Sequence, residues 1–184
     1  NETIFDECTQ MIIKSVDELK TLVNEFSSFA RMPASHPTSN NINELINEAI
    51  TLYDQAHRNI LFTFKPDQSL PSFLFDRDQI KRVFINLLDN AVTAIADSGE
   101  ISIESSYNKD LNIAVCTVAD NGHGISAVDR DRLFEPYFST KKSGTGLGLA
   151  IVNTIVADHN GFIRVKDNIP KGTKFIIELP VIFE

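Results

Sequence analysis

A run rich in β-branched residues, Ile113, Val115, Thr117 and Val118, ends in Asp120-Asn121-Gly122-His123-Gly124. Further on, a second glycine segment, Gly144-Thr145-Gly146-Leu147-Gly148, opens a helical pattern. This pair restricts the folds open to the chain. A strand that ends in an acidic glycine turn brings a carboxylate and bare backbone close to a planar ring. A glycine-rich helix start gathers backbone N–H groups suited to an anion. The second segment reads GxGxG, not the dinucleotide pattern GxGxxG. The residues before it, Phe138-Ser139-Thr140-Lys141-Lys142-Ser143, are polar and lysine-bearing, so the strand that a doubly wound nucleotide fold needs is missing. Neither GxxxxGKS nor GxxxxGKT occurs, which excludes a P-loop.

Periodicity around these segments indicates the architecture. Apolar residues at Ile4, Cys8, Met11, Ile12, Val16, Leu19, Leu22, Val23, Phe26, Phe29 and Ala30 predict one long helix over residues 1–31, stopped by Pro33. At about 1.5 Å per residue it is roughly 40 Å long. Such a helix cannot bury its stripe alone. It folds back on its own domain or packs on another helix, and the second is expected. Residues 34–41 read as a polar, proline-bearing linker with His36 solvated. Residues 42–57 are helical by spacing, and residues 60–64 and 71–75 carry short strands. Asp76 and Gln79 form a capping box for a helix through Val83, Phe84, Leu87, Leu88, Ala91 and Ile95 that ends near Ser98-Gly99. Strands over 101–107 and 111–119 flank a turn at Asn108-Lys109-Asp110. A helix over 146–159 and strands over 162–166 and 174–179 complete the pattern. Helices and antiparallel hairpins alternate in blocks, which predicts an α+β fold: a two-layer α/β sandwich preceded by one long helix.

Cys8 and Cys116 are far apart and belong to no CxxC pair, so no metal or disulfide framework is implied. Both are expected to be buried, reduced thiols of a cytoplasmic protein. The net charge of −8 argues against nucleic-acid binding, which needs basic patches. No apolar run approaches the ~20 residues of a membrane span. No signal-peptide pattern is present and residue 1 is Asn. The chain is therefore expected to be a piece of a longer protein, in contact with a membrane only through upstream segments.

The chemistry-bearing residues begin on the capped helix. Asn86 and Asn90 are four apart and share one face, with Leu87 and Leu88 turned to the core. Carboxamide oxygens there suit a hard cation such as Mg²⁺, which takes few protein ligands and keeps the rest for water and phosphate. Two solvated asparagines are the alternative. Asp120 at a strand end can accept a hydrogen bond from an adenine amino group, with Gly122 and Gly124 admitting the ring. Asp-Asn-Gly is also a favoured turn sequence on its own. Lys141 or Lys142 can add a point charge to an anion site at Gly144–Gly148. Thr173, after Gly172, can reach the base directly or through water.

Taken together these segments resemble the nucleotide-binding domain of sensor histidine kinases, which shares a superfamily with gyrase B, the Hsp90 chaperones and MutL. NLLDNA (Asn86–Ala91) resembles the N box, DNGHG (Asp120–Gly124) the G1 box, LFEPYFSTK (Leu133–Lys141) the F box and GTGLGL (Gly144–Leu149) the G2 box. Gly172-Thr173 resembles the last glycine element. The first helix, ending VNEFSSFARMP, is similar to the second helix of the dimerisation domain in nitrogen-regulation (NtrY-type) sensor kinases. The resemblance implies a Bergerat-type ATP-binding fold over residues 42–184, a linker over 34–41 and half of a dimerisation hairpin over 1–33. It implies ATP and Mg²⁺ as cofactors. Asn90 binds the metal with Asn86 assisting, and Asp120 reads adenine with support from Thr173. Gly122, Gly124, Lys141, Gly144, Thr145, Gly146, Leu147 and Gly148 line the nucleotide. It also implies a mobile lid over residues 139–145, anchored by Phe134 and Phe138.

Two departures matter. Many such kinases carry a lysine three residues after the metal-binding Asn, where this chain has Thr93. The phosphoacceptor motif, a His followed by an acidic residue and then usually Lys-Asn-Pro, matches none of His36, His57, His123 and His159. The implied activity is transfer of the ATP γ-phosphoryl group to a His on a segment absent from this chain, and from there to an Asp of a response regulator. The implied partners are that regulator and a second kinase protomer. The implied location is cytoplasmic, with the parent anchored in the inner membrane. Two alternatives stand beside this one. An ATP-hydrolysing machine of the superfamily usually has a Glu at the Asn86 position as a base. An anti-sigma-type kinase or nucleotide-dependent interaction module would share the ATP fold.

Overall fold

The computed structural model describes residues 2–30, 34–141 and 144–183, and within the first helix only some of the side chains. The predicted stop at Pro33 and the second lysine of the pair, Lys142, lie outside the described residues. Helix α1 spans Glu2–Ala30. Of its predicted stripe, Cys8, Met11, Ile12, Val16, Leu19 and Val23 are all exposed. The rest of this chain therefore does not cover those positions. Cys116 is buried as expected, but Cys8 is exposed, a correction that follows from its place on this helix.

A five-stranded sheet in the order β2-β4-β5-β7-β6 forms one layer. Its strands are β2 (Ile60–Lys65), β4 (Gly99–Asn108), β5 (Ile113–Asp120), β6 (Phe162–Asp167) and β7 (Thr173–Pro180). Helices α2 (Ile42–Ala56), α3 (Arg77–Ala94) and α5 (Gly148–Asp158) form the other. Inward residues alternate along the central strands: Ile101 and Ile103, then Ala114, Cys116 and Val118, then Phe175, Ile177 and Leu179. They meet Val83, Phe84, Leu87 and Leu88 of α3 and Ile151, Val152 and Ile155 of α5 in one core. Each such side chain contributes roughly 1.5–3 kcal/mol by leaving water.

Local chemistry sets the element ends. Asn41 caps α2 by accepting from the Asn43 N–H at 2.9 Å, and Asp76 caps α3 by accepting from the Gln79 N–H at 3.0 Å. Helix α3 ends at Ala94, and Gly99 opens β4 instead of closing the helix. The β4–β5 turn takes in Leu111 and Asn112 as well. Asn108 Oδ1 accepts from the Leu111 N–H at 3.1 Å, and Asn112 adopts a left-handed φ of 55°. Strands β2 and β4 run parallel, joined through α3, while the other pairs of the main sheet are antiparallel.

The predicted linker is partly structured. Thr38–Asn40 forms β1, antiparallel to β3 (Phe73–Phe75). His36 is exposed as expected, but its backbone N–H donates to Asp76 Oδ2 at 2.9 Å. A short helix, α4 (Ala127–Arg130), capped by Ser126, was not expected from the sequence. Among the described residues no helix is long and apolar enough to cross a membrane.

Candidate nucleotide-binding site

The C-terminal end of β5, the start of β7, one face of α3 and the segment leading into α5 surround a pocket of about 600 Å³. The predicted residues Asn86, Asn90, Asp120, Gly124, Lys141, Gly144, Thr145, Gly146, Gly148 and Thr173 all line it. Gly122 and Leu147 do not. Gly122 is packed so closely on α3 that a Cβ would lie 2.5 Å from the Ala94 carbonyl oxygen. Leu147 is fully buried in the core. Both hold the walls in place from behind.

Asp120 is the one buried carboxylate among the described residues, 3 % exposed. Its Oδ1 accepts the N–H groups of Gly122 at 2.9 Å and Thr173 at 3.2 Å. Burial pushes its pKa above the usual carboxylate range, and these two bonds and the nearby His123 only partly offset that. Behind it, Gly172 has a φ of 114°, and a Cβ there would lie 1.9 Å from the Asp120 carbonyl oxygen. Asn168 Nδ2 donates to that same carbonyl at 2.8 Å. The carboxylate is thus aimed from the strand end into the pocket by contacts on three sides.

Across the pocket, Asn86 and Asn90 emerge from α3 above the buried Leu87 and Leu88. The Asn86 amide donates to the Arg82 carbonyl at 2.9 Å, which turns its Oδ1 against Gly148. Asn90 Oδ1 accepts from Lys141 Nζ at 2.9 Å. The pocket walls withdraw water from Lys141 and pull its pKa down, while the Asp89 carboxylate works in the opposite direction. Tyr53 donates to Asp89 Oδ1 at 2.6 Å, and burial first, then this bond, pushes the phenol pKa up. Apolar Leu147 occupies the N-cap of α5 and cannot satisfy the first N–H groups of that helix. Gly148 and Leu149, at its start, line the pocket. Phe134 packs against the core, and Phe138 lies under the Arg132 guanidinium at 4.5 Å while also lining the pocket.

A family model described as Histidine kinase-, DNA gyrase B-, and HSP90-like ATPase matches residues 75–182, which includes every residue of this site. The chain belongs to this family.

Within the family, the similar proteins are sensor histidine kinases. The nitrogen regulation protein NtrY of Azorhizobium caulinodans is 38 % identical over 174 residues, 92 % of this chain and 22 % of that protein. Full-length ShkA, solved in complex with AMPPNP, superimposes with a TM-score of 0.79 at 29 % identity, over 93 % of this chain and 37 % of its own. Histidine kinase ThkA in complex with the response regulator protein TrrA gives 0.77 at 31 % identity, over 93 % and 49 %. The chain thus spans less than half the length of each of these relatives. Its α+β sandwich is the fold of the histidine kinase ATP-binding domain.

Three site residues of this family member escaped sequence reading. Asp89 sits inside the NLLDNA segment between the two amides, and residue type alone gives no sign that it lines the pocket. Ser139 lies in a polar loop pattern with no signal of its own, yet its Oγ accepts the Lys141 N–H at 3.1 Å. Asn168 gives only a turn signal, two residues before Pro170.

Proposed function

We propose that this chain is the ATP-binding catalytic part of a two-component sensor histidine kinase. Its reaction is transfer of the γ-phosphoryl group of ATP to a His on another segment, for onward transfer to a response-regulator Asp. The observation that carries this reading is Asp120. Two backbone N–H groups occupy its Oδ1, and its second oxygen is left to accept from the adenine amino group. A hydrogen bond to a charged acceptor is worth about 1.5–3 kcal/mol. ShkA was solved with AMPPNP and ThkA with a response regulator, which supports both the ligand class and the partner class.

The remaining residues take roles by position. Gly144–Gly148 and the α5 start hold phosphates through backbone N–H groups. Asn90 holds Mg²⁺. Its oxygen already receives a cationic group, and among the described residues no three His, Cys, Asp or Glu side chains converge as an all-protein metal cage. The metal would therefore complete its shell with phosphate and water. Bound there, Mg²⁺ neutralises charge on the transferring phosphoryl group, while positioning falls to the protein. Asn86 stands where a hydrolytic enzyme needs a base, and a carboxamide cannot take a proton at neutral pH, which weighs against the ATPase reading. Helix α1 is read as the second helix of the dimerisation hairpin, residues 1–33, with its exposed stripe facing the missing helix and a second protomer. Membrane anchoring belongs to upstream segments of the parent.

The test is calorimetric titration with ADP and a non-hydrolysable ATP analogue, with and without Mg²⁺, beside Asp120→Asn. Micromolar binding lost in the variant is expected. A folded wild-type chain that binds neither nucleotide refutes the reading.

A further inference from the structure

The contact between Lys141 and Asn90 bears on how this site handles charge. Three carboxylates line the pocket, those of Asp89, Asp120 and Asp129, and Lys141 is its one lysine or arginine among the described residues. Lys141 is an exposed residue, yet its ammonium is turned toward α3. It sits 2.9 Å from Asn90 Oδ1. The backbone beneath it is tied down: Ser139 Oγ accepts the Lys141 N–H at 3.1 Å, and the Lys141 carbonyl accepts from the Gly144 N–H at 3.3 Å. Asp89, held by Tyr53, attracts the same ammonium. On the facing helix, Thr93 is neutral and its hydroxyl donates to the Asp89 carbonyl at 2.6 Å, so it brings no positive charge to the pocket.

We propose that Lys141 is a built-in counter-cation for the Asn90 oxygen. It holds the place a magnesium ion takes there, and it moves to the phosphates when the metal arrives. The inference rests on the nucleotide-site reading above and deepens it. A fixed ammonium at a metal position has one direct consequence. Nucleotide entering without metal still finds a positive charge between the Asn90–Asp89 wall and its phosphates, so binding depends only weakly on Mg²⁺. Removing the ammonium leaves phosphate oxygens facing a carboxamide oxygen and a carboxylate, and only the metal relieves that repulsion.

The experiment is calorimetric titration of the whole chain with ADP, in saturating Mg²⁺ and in EDTA, for the wild type, Lys141→Met and Lys141→Arg, with melting curves to confirm folding. The reading is the ratio of the Kd in EDTA to the Kd in Mg²⁺. Lys141→Met is expected to raise this ratio about tenfold or more, and Lys141→Arg to keep it near the wild-type value. If Lys141 is only a phosphate ligand, both conditions weaken alike. A ratio within twofold of wild type in Lys141→Met overturns the proposal and leaves the nucleotide site standing. Absence of wild-type binding in both conditions overturns the site and this inference together.

Discussion

Asp120 and Thr173 meet across the adjacent ends of β5 and β7, the Thr173 N–H donating to Asp120 Oδ1 at 3.2 Å. This bond carries the site's carboxylate from a strand end into the pocket, and it explains why the residue tolerates burial.

Replacing Asp120 by Asn separates binding from stability. The Asn oxygen can keep both backbone bonds, which turns an NH₂ group toward the base where an acceptor is required. Adenine-nucleotide affinity is expected to fall tenfold to a hundredfold in calorimetry. Stability moves the other way. The folded pKa of Asp120 is raised by burial, so its favourable contribution is complete below the unfolded value of about 3.9 and is lost as pH rises through the folded one. At neutral pH the variant is expected to melt at or above the wild-type temperature, and the difference should shrink on acidification. A variant melting well below wild type at pH 7 would contradict the account.

Gly172→Ala is expected to be costly for two reasons at one atom. A φ of 114° strains any L side chain, and the added Cβ would fall 1.9 Å from the Asp120 carbonyl. A loss of about 1–3 kcal/mol in denaturant unfolding is expected, with weakened nucleotide binding because Asp120 moves. Unchanged stability would show that the β5–β7 approach is looser than described.

Asp76 joins three parts of the fold. Its Oδ1 caps α3 through the Gln79 N–H, its Oδ2 accepts from the His36 N–H, and its own N–H donates to His159 Nε2 at 3.0 Å. Burial pushes its pKa up, but the backbone N–H groups of His36, Gln79 and Asp78, with His159 nearby, outweigh that and hold it below the usual range. The stabilisation is therefore present above the unfolded carboxylate pKa and is lost as pH falls through the lowered one. Asp76→Ala is expected to cost roughly 1–2 kcal/mol at pH 7 in urea unfolding. The gap from wild type should narrow below about pH 4. A gap independent of pH would assign the loss to packing.

Charge on the α1 stripe should not disturb the sandwich. Met11 and Val16 are 69 % and 56 % exposed, so Met11→Lys with Val16→Lys is expected to leave the domain's unfolding free energy within about 0.5 kcal/mol of wild type. If α1 pairs with another copy, sedimentation should show the wild type heavier than the variant at the same concentration. Equal masses for the two would leave the stripe without a role in self-association.

Most of the fold was legible because its signals are local. The spacing that makes α2 and α3 amphipathic lies within each segment, and the Asp76 and Gln79 cap needs only three residues of context. The elements that escaped depend on partners distant in sequence. Thr38–Asn40 is polar and three residues long, and it becomes a strand because Phe73–Phe75 lies beside it. Cys8 reads as part of an apolar stripe, and no pattern in the sequence states whether this chain covers that stripe. The parallel pairing of β2 with β4 is decided by how α3 packs between them in sequence.

The sequence by itself placed Asn90, Asp120, Gly144, Gly148 and Thr173 in motifs whose chemistry is carried by residue type and spacing, and these residues gather around one pocket. Only the tertiary structure decided how those groups are charged and aimed: that Asp120 spends one oxygen on backbone N–H groups, that Asn86 turns its oxygen to α5, and that Lys141 reaches Asn90. These are contacts between residues far apart in the chain, down to the 51 positions separating Lys141 from Asn90. Their distances are set by the packing of α3, β5 and α5 around a shared core, which no local pattern encodes.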